Sequence, residues 1–228
     1  FFVPLFLYEQ NTIPGSTNKL LIKISTLNFQ AFENSFSKEV NAITTGNPIL
    51  FEPNSKKAVS EVKNLLVLGG SLGAKKINEV IPHIKTPVNI WHQTGKSHFD
   101  EVKALYSKSD HHQVKLDPFI SNMSVAYAWA DLVVCRAGAM TVSELIATKT
   151  IAILIPFPYA IDNHQNVNAQ YLTKREAGII IDEQNLTPEA LDKQISQLDS
   201  EKLKEMSKNL GSLKVQYPER LIADYLLN

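Results

Sequence analysis

The stretch Asn64-Leu65-Leu66-Val67-Leu68-Gly69-Gly70-Ser71-Leu72-Gly73-Ala74 runs from an apolar segment into a glycine turn, and a helical pattern follows to about residue 84. A short apolar run with no polar alternation, stopped by glycine, reads as a buried strand. The same unit returns along the chain. Strands are expected at 88–93, 114–116, 132–135, 151–155 and 178–181, and helices at 97–107, 121–130, 140–148 and 163–175. Thr187-Pro188 opens a further helix: Thr can cap it, Pro suits its first turn, and Glu189 favours its positive end. Strands apolar on both faces and separated by helices predict a parallel sheet covered on both sides, with right-handed crossovers. Residues 61–211 therefore read as one complete, doubly wound α/β domain.

Residues 1–50 follow a thinner pattern. A strand is expected at 2–7, a helix at 17–25, a strand at 27–31 and another near 41–44. So few elements cannot cover a parallel sheet on both faces, so this segment reads as part of a second domain. Residues 51–60, with Pro53, Asn54, Ser55 and Lys56, read as a linker, and 212–228 as a tail helix that Pro218 kinks or opens. The chain begins without Met, inside an apolar run and without the basic region of a signal peptide, so natural sequence is expected upstream of Phe1.

Composition excludes several classes. The 228 residues suggest about one and a half domains. Lys plus Arg and Asp plus Glu are 23 each, and a neutral chain is a poor fit to nucleic acid, whose phosphates demand a basic surface. The single Cys135 cannot form an internal disulfide or a Cys-rich zinc site. At the end of a buried strand it reads as core packing rather than a nucleophile. No apolar run approaches the roughly 20 residues of a membrane-spanning helix.

Three motifs follow strands and so share one rim of the sheet, where parallel sheets bind ligands. Gly69-Gly70-Ser71-Leu72-Gly73-Ala74 could turn backbone amides toward a phosphate, with the Ser71 hydroxyl as an added donor. It matches neither the dinucleotide nor the P-loop pattern, and a plain strand-to-helix turn would use the same residues. Cys135-Arg136-Ala137-Gly138-Ala139-Met140-Thr141-Val142-Ser143-Glu144 offers the amides of Ala139 to Thr141 to a diphosphate, and Glu144 to the vicinal hydroxyls of a ribose. Thr141, Ser143 and Glu144 could equally just cap the helix. Pro156-Phe157-Pro158 with Asp162-Asn163-His164-Gln165-Asn166 and Asn168 gathers amides able to read sugar hydroxyls, or to cap a helix. A fourth cluster, Tyr8-Glu9-Gln10-Asn11, is either an acid–base and sugar-binding set or a polar loop. Together the first three suggest a nucleotide diphosphate-sugar.

These motifs occur in order with Gly15, Thr17-Asn18-Lys19, Gly46-Asn47-Pro48, Ile90-Trp91-His92-Gln93 and Ala126-Tyr127-Ala128-Trp129-Ala130-Asp131. As a set they closely resemble glycosyltransferase family 28, in its branch that moves N-acetylglucosamine from UDP to lipid-linked N-acetylmuramyl-pentapeptide in peptidoglycan synthesis. The resemblance implies the GT-B arrangement, two Rossmann-like domains facing across a cleft. The C-terminal one binds UDP-N-acetylglucosamine. The N-terminal one, represented here by residues 1–50, binds the lipid-linked acceptor and touches the membrane, and the tail helix returns to brace it.

The resemblance further implies donor contacts at Ser71, at Ile120 with Phe119 beside it, at Ala139, Met140, Thr141, Val142 and Ser143, and at Glu144, Gln165 and Asn11. It implies inversion at the anomeric carbon with no metal and no cofactor, and a peripheral place on the cytoplasmic face of the bacterial inner membrane. Glu9 is the candidate base, or else holds a sugar hydroxyl. The chain as given is expected to bind donor without transferring the sugar. Three positions depart from the family: Tyr8 where His is common, Leu50 where Arg is common, and Leu72 where a polar residue is usual. The competing readings are a UDP-N-acetylglucosamine 2-epimerase-like enzyme and a noncatalytic UDP-sugar-binding subunit.

Overall fold

The computed structural model describes residues 3–53, 59–70, 73–109, 113–160, 163–213 and 217–227. The chain builds a small parallel sheet first. Strand β1 (Phe6–Glu9), helix α1 (Ser16–Leu21), strand β2 (Leu27–Gln30) and strand β3 (Ile43–Thr44) give the order β1-β2-β3. Strand β1 starts later than expected. Leu5 donates its N–H to the Thr26 hydroxyl rather than to a ladder, and Pro4 has no N–H to offer. Helix α1 also stops early, at Leu21, and buries none of its residues.

The larger sheet is built from β4 (Asn64–Leu68), β5 (Asn89–Gln93), β6 (Val114–Asp117), β7 (Leu132–Cys135), β8 (Ile151–Leu154) and β9 (Ile179–Ile180). All neighbours are parallel, in the order β6-β5-β4-β7-β8-β9. Helices α2 (Lys75–Val80), α3 (Phe99–Tyr106), α4 (Met123–Trp129), α5 (Ala139–Thr148) and α6 (His164–Thr173) make the crossovers. The central strands are dry because their apolar residues face helices on both sides: Leu65, Leu66, Val67 and Leu132 to Cys135 are all 0% exposed. The strand order reverses between β4 and β7, which opens a crevice beyond their carboxyl ends.

Three helices follow: α7 (Pro188–Ser196), α8 (Ser200–Ser212) and α9 (Pro218–Leu227). The break between α7 and α8 escapes the periodicity but has a local cause, since the Asp199 carboxylate accepts the Lys202 N–H at 2.9 Å and caps a new helix. Pro218 opens α9 rather than kinking it. The small sheet is covered by groups distant in sequence. Phe32 packs edge-on against Tyr171 of α6, and Phe29 against Tyr225 of α9, at 4.9 and 6.0 Å between centroids. Ala31 and Phe32 thereby join the core of the larger sheet. None of the described helices is long and apolar enough to cross a membrane.

A buried polar chain ties β5 to its helices. The Asn78 side-chain amide donates to the Thr94 carbonyl at 2.9 Å, which leaves Asn78 Oδ1 facing His92 Nε2 at 2.9 Å. That oxygen only accepts, so Nε2 carries the proton and Nδ1 accepts from the Tyr106 hydroxyl at 3.0 Å. Burial holds His92 neutral, its pKa pushed down from 6.5 to about 3. The unfolded state therefore binds the extra proton first. Stability from this group is complete above pH 6.5 and is lost as the pH falls below it. We expect acidification from pH 7 to 5 to cost about 2 kcal/mol through this group. Urea unfolding at the two pH values checks this, and His92→Gln should lose that share of the pH dependence.

Candidate active site

The three expected loops lie at the carboxyl ends of β4, β7 and β8, and each is held differently. After β4, Gly69 donates its N–H to the Gln93 carbonyl, and Gly73 donates back to Gly70 at 3.1 Å. Gly70 and Gly73 have φ of +76° and +80°, and a Cβ on Gly73 would lie 2.4 Å from the Thr94 carbonyl oxygen. Glycine is thus required here for the turn and for its contact with the next loop. Ser71, expected to bind diphosphate, and Leu72 lie outside the described residues.

After β7 the situation is reversed. Gly138 has φ −65° and ψ 148°, open to any residue, and the nearest atom to an added Cβ is Thr141 Oγ1 at 3.7 Å. Neither conformation nor internal packing requires glycine there, and the space in front of it is free. The Val142 N–H is the first in α5 to find a helical acceptor, the Gly138 carbonyl at 2.9 Å. The amides of Ala139, Met140 and Thr141 precede it and have no intramolecular acceptor among the described residues. Three free N–H groups at the positive end of a ten-residue helix can hold an anion. Val142 is corrected by the same geometry: its N–H is taken and its side chain is 0% exposed. Ser143 is corrected too. Its hydroxyl donates to the Ala139 carbonyl at 3.0 Å and accepts from Asn47 Nδ2 at 2.9 Å, which makes it a structural bridge.

Glu144 is half-buried further along α5, and its Oε2 accepts the Tyr127 hydroxyl at 2.8 Å. Burial raises its carboxyl above the usual range, and the Tyr127 bond opposes that. One oxygen, Oε1, has no intramolecular donor among the described residues, so the expected pair of ribose bonds falls on it and on the spare lone pair of Oε2. Phe119 presents a 54% exposed ring after β6. The Ile120 N–H is already given to Gln93 Oε1 at 3.0 Å, so only the Ile120 carbonyl remains for a base edge while that bond stands.

Beyond β8, Gln165 Oε1 accepts the Phe157 N–H at 2.9 Å, which points its amide nitrogen away from the loop. Arg136 fixes the same loop, donating to the Ile155 carbonyl at 3.2 Å and pairing with Glu183. Asp162 of this motif lies outside the described residues. Asn168, expected to read a sugar, is 0% exposed and fully engaged. Its Oδ1 accepts from the Thr12 N–H and hydroxyl at 3.1 and 2.7 Å. Its Nδ2 donates to the Ala137 carbonyl at 3.1 Å and approaches Asn11 Oδ1 at 3.5 Å.

Glu9, the candidate base, is held within its own loop. It is 3% exposed, and both carboxylate oxygens are occupied from within its own loop. Oε1 accepts the Asn11 N–H at 2.9 Å, while Oε2 accepts the Gly15 N–H at 2.9 Å and Asn18 Nδ2 at 2.8 Å. A carboxylate so enclosed folds residues 9–18 around itself, which gives it a structural role in the loop. Asn11 is half-buried in that loop, and Asn168 joins it to the turn before α5. The described residues contain no group of three or more His, Cys, Asp or Glu side chains placed to hold a metal ion.

The sequence matches the model of the glycosyltransferase family 28 C-terminal domain over residues 64–221. The chain belongs to glycosyltransferase family 28. A family 28 relative from Vesicomyosocius okutanii is named UDP-N-acetylglucosamine--N-acetylmuramyl-(pentapeptide) pyrophosphoryl-undecaprenol N-acetylglucosamine transferase. It is 49% identical over all of this chain and 65% of its own length. A relative of the same name from Methylococcus capsulatus is 44% identical over 81% of this chain and 54% of its own. The chain thus spans about half to two thirds of these relatives. The crystal structure of Acinetobacter baumannii MurG superposes with a TM-score of 0.83 at 33% identity, over 97% of this chain and 67% of that one. The fold is therefore the GT-B type of family 28.

Two family departures have visible consequences. The Tyr8 hydroxyl lies 2.7 Å from Asn47 Oδ1 and 2.8 Å from the Gly46 carbonyl, with its pKa raised by burial to about 12, so it stays a donor. Leu50 is 98% exposed. A cavity of about 720 Å³ runs between the linker and α5, and Ser143 is the one predicted donor contact that lines it. Glu144 follows Ser143 and so lies about 100° around the helix from that cavity.

Glu9→Gln would put an amide donor against two N–H donors in a closed pocket. We expect a loss of about 1–3 kcal/mol in stability. The urea midpoint reads it out, and an unchanged midpoint would show that the carboxylate is not holding the loop.

Proposed function

We propose that this chain supplies the donor-binding half of an inverting transferase. That enzyme moves N-acetylglucosamine from UDP-N-acetylglucosamine to lipid-linked N-acetylmuramyl-pentapeptide at the cytoplasmic face of the inner membrane. Residues 61–211 bind the donor, and residues 1–50 face the acceptor. The names carried by the relatives support this reading over epimerisation of a UDP-sugar or noncatalytic binding.

The observation that carries it is the start of α5: three free amides behind an unobstructed Gly138, with Glu144 on the same helix. The diphosphate of a UDP-sugar carries two negative charges, and a third develops on it as UDP leaves. Amides already aimed at that position, with the helix dipole behind them, stabilise the charge as it develops and need no reorganisation. Glu144 then accepts from the ribose hydroxyls, the Phe119 ring covers the uracil, and the Ile120 carbonyl takes its N–H. The Gln165 amide nitrogen, which has no acceptor among the described residues, and the Asn11 side chain reach the sugar. Ser71 adds its hydroxyl to the diphosphate. Inversion requires a base, and the bonds that hold Glu9 within its own loop favour a group from the acceptor side over Glu9.

Calorimetric titration of UDP tests the donor half directly. Glu144→Ala should weaken binding by about 1–3 kcal/mol, the scale of hydrogen bonds to a charged group. Equal affinities for the two proteins would remove Glu144 from the site.

A further inference from the structure

Tyr127 sits on α4 and is 0% exposed, deep enough that a phenylalanine would fill the space without the cost of burying a hydroxyl. Among the described residues its hydroxyl has one partner, Glu144 Oε2 at 2.8 Å. Phe51 of the linker stacks on the Tyr127 ring at 5.9 Å and 22°, which shields the phenol from water. Burial also pushes the phenol well above its usual pKa, so it is a proton donor at neutral pH. A glutamate on an open helix face samples several rotamers, and one fixed oxygen removes most of that freedom.

We infer that Tyr127 is a positioning residue: its buried hydroxyl pins Oε2 of Glu144 so that Oε1 faces outward to receive the vicinal hydroxyls of the donor ribose. The inference rests on the assignment of Glu144 to the ribose. Phe51 extends the connection to the linker, so the ribose carboxylate is held by a side chain from the segment joining the two sheets.

Calorimetry with UDP and with 2′,3′-dideoxy-UDP tests it on the full chain. Wild type should bind UDP more tightly than the dideoxy compound. Tyr127→Phe should weaken UDP about tenfold, the loss expected for a hydrogen bond to a carboxylate, and leave dideoxy-UDP unchanged. In a Glu144→Ala background the same substitution should alter UDP affinity less than twofold. A merely structural tyrosine would weaken both nucleotides in both backgrounds, which would overturn the inference. A Tyr127→Phe protein that still prefers UDP by the wild-type margin would overturn it while leaving the ribose assignment intact. Wild type binding both nucleotides equally would overturn the ribose assignment and the inference together. If Tyr127→Phe does not fold, Phe51→Ala decides. It admits water to the phenol and should weaken UDP about threefold with dideoxy-UDP unchanged. Unchanged UDP affinity there would overturn the inference.

Discussion

Two buried asparagines fix how the small sheet sits on the large one. Asn168 reaches from α6 to Thr12 and to the Ala137 carbonyl, and Asn47 reaches from the end of the small sheet to Ser143 on α5. Each amide has its donors and acceptors filled. Asn47 also donates to the Gln10 carbonyl and accepts from Tyr8. A buried amide left unpaired costs about 1–3 kcal/mol per group, so any sliding of one sheet over the other breaks several bonds at once. Apolar contacts such as Phe32 on Tyr171 supply attraction without direction, and the amides supply the register.

That register matters because both asparagines end on the segment that carries the chemistry. Ala137 precedes Gly138 and the free amides of α5, and Ser143 lies one turn beyond them. The turn before α5 is thereby clamped from both sides while its own N–H groups find no acceptor among the described residues. Those groups persist because they lie at an open, half-buried rim where water or a ligand can reach them. The loop of residues 9–18 is held as firmly by the Glu9 carboxylate, which sits at the centre of its turn. Rigid backbone on both sides of the crevice suits a reaction in which charge appears on a departing group.

The division between what could be read and what could not follows the range of the interactions. The strands, the crossovers and the turns came from contacts within about ten residues, and the larger sheet was legible on that basis. So was the start of α5, since unpaired amides at a helix N-terminus follow from local geometry alone. Glu144 was visible as a carboxylate one turn in. Tyr127, which holds it, is 17 residues away, and nothing local in the sequence links the two.

The sequence by itself determined the parallel α/β architecture, the placing of three loops on one rim and the helix start with unpaired amides. Hydrophobic periodicity and glycine act through neighbours along the chain. Only the tertiary structure decided which polar side chains remained free. Glu9, Ser143 and Asn168 have the chemistry of a sugar-binding site, and each is consumed by partners within the fold, two of them up to 96 or 156 residues away. A carboxylate or amide is a reactant or a brace according to whether folding leaves its lone pairs and protons unmatched, and those matches exist only once distant segments have met.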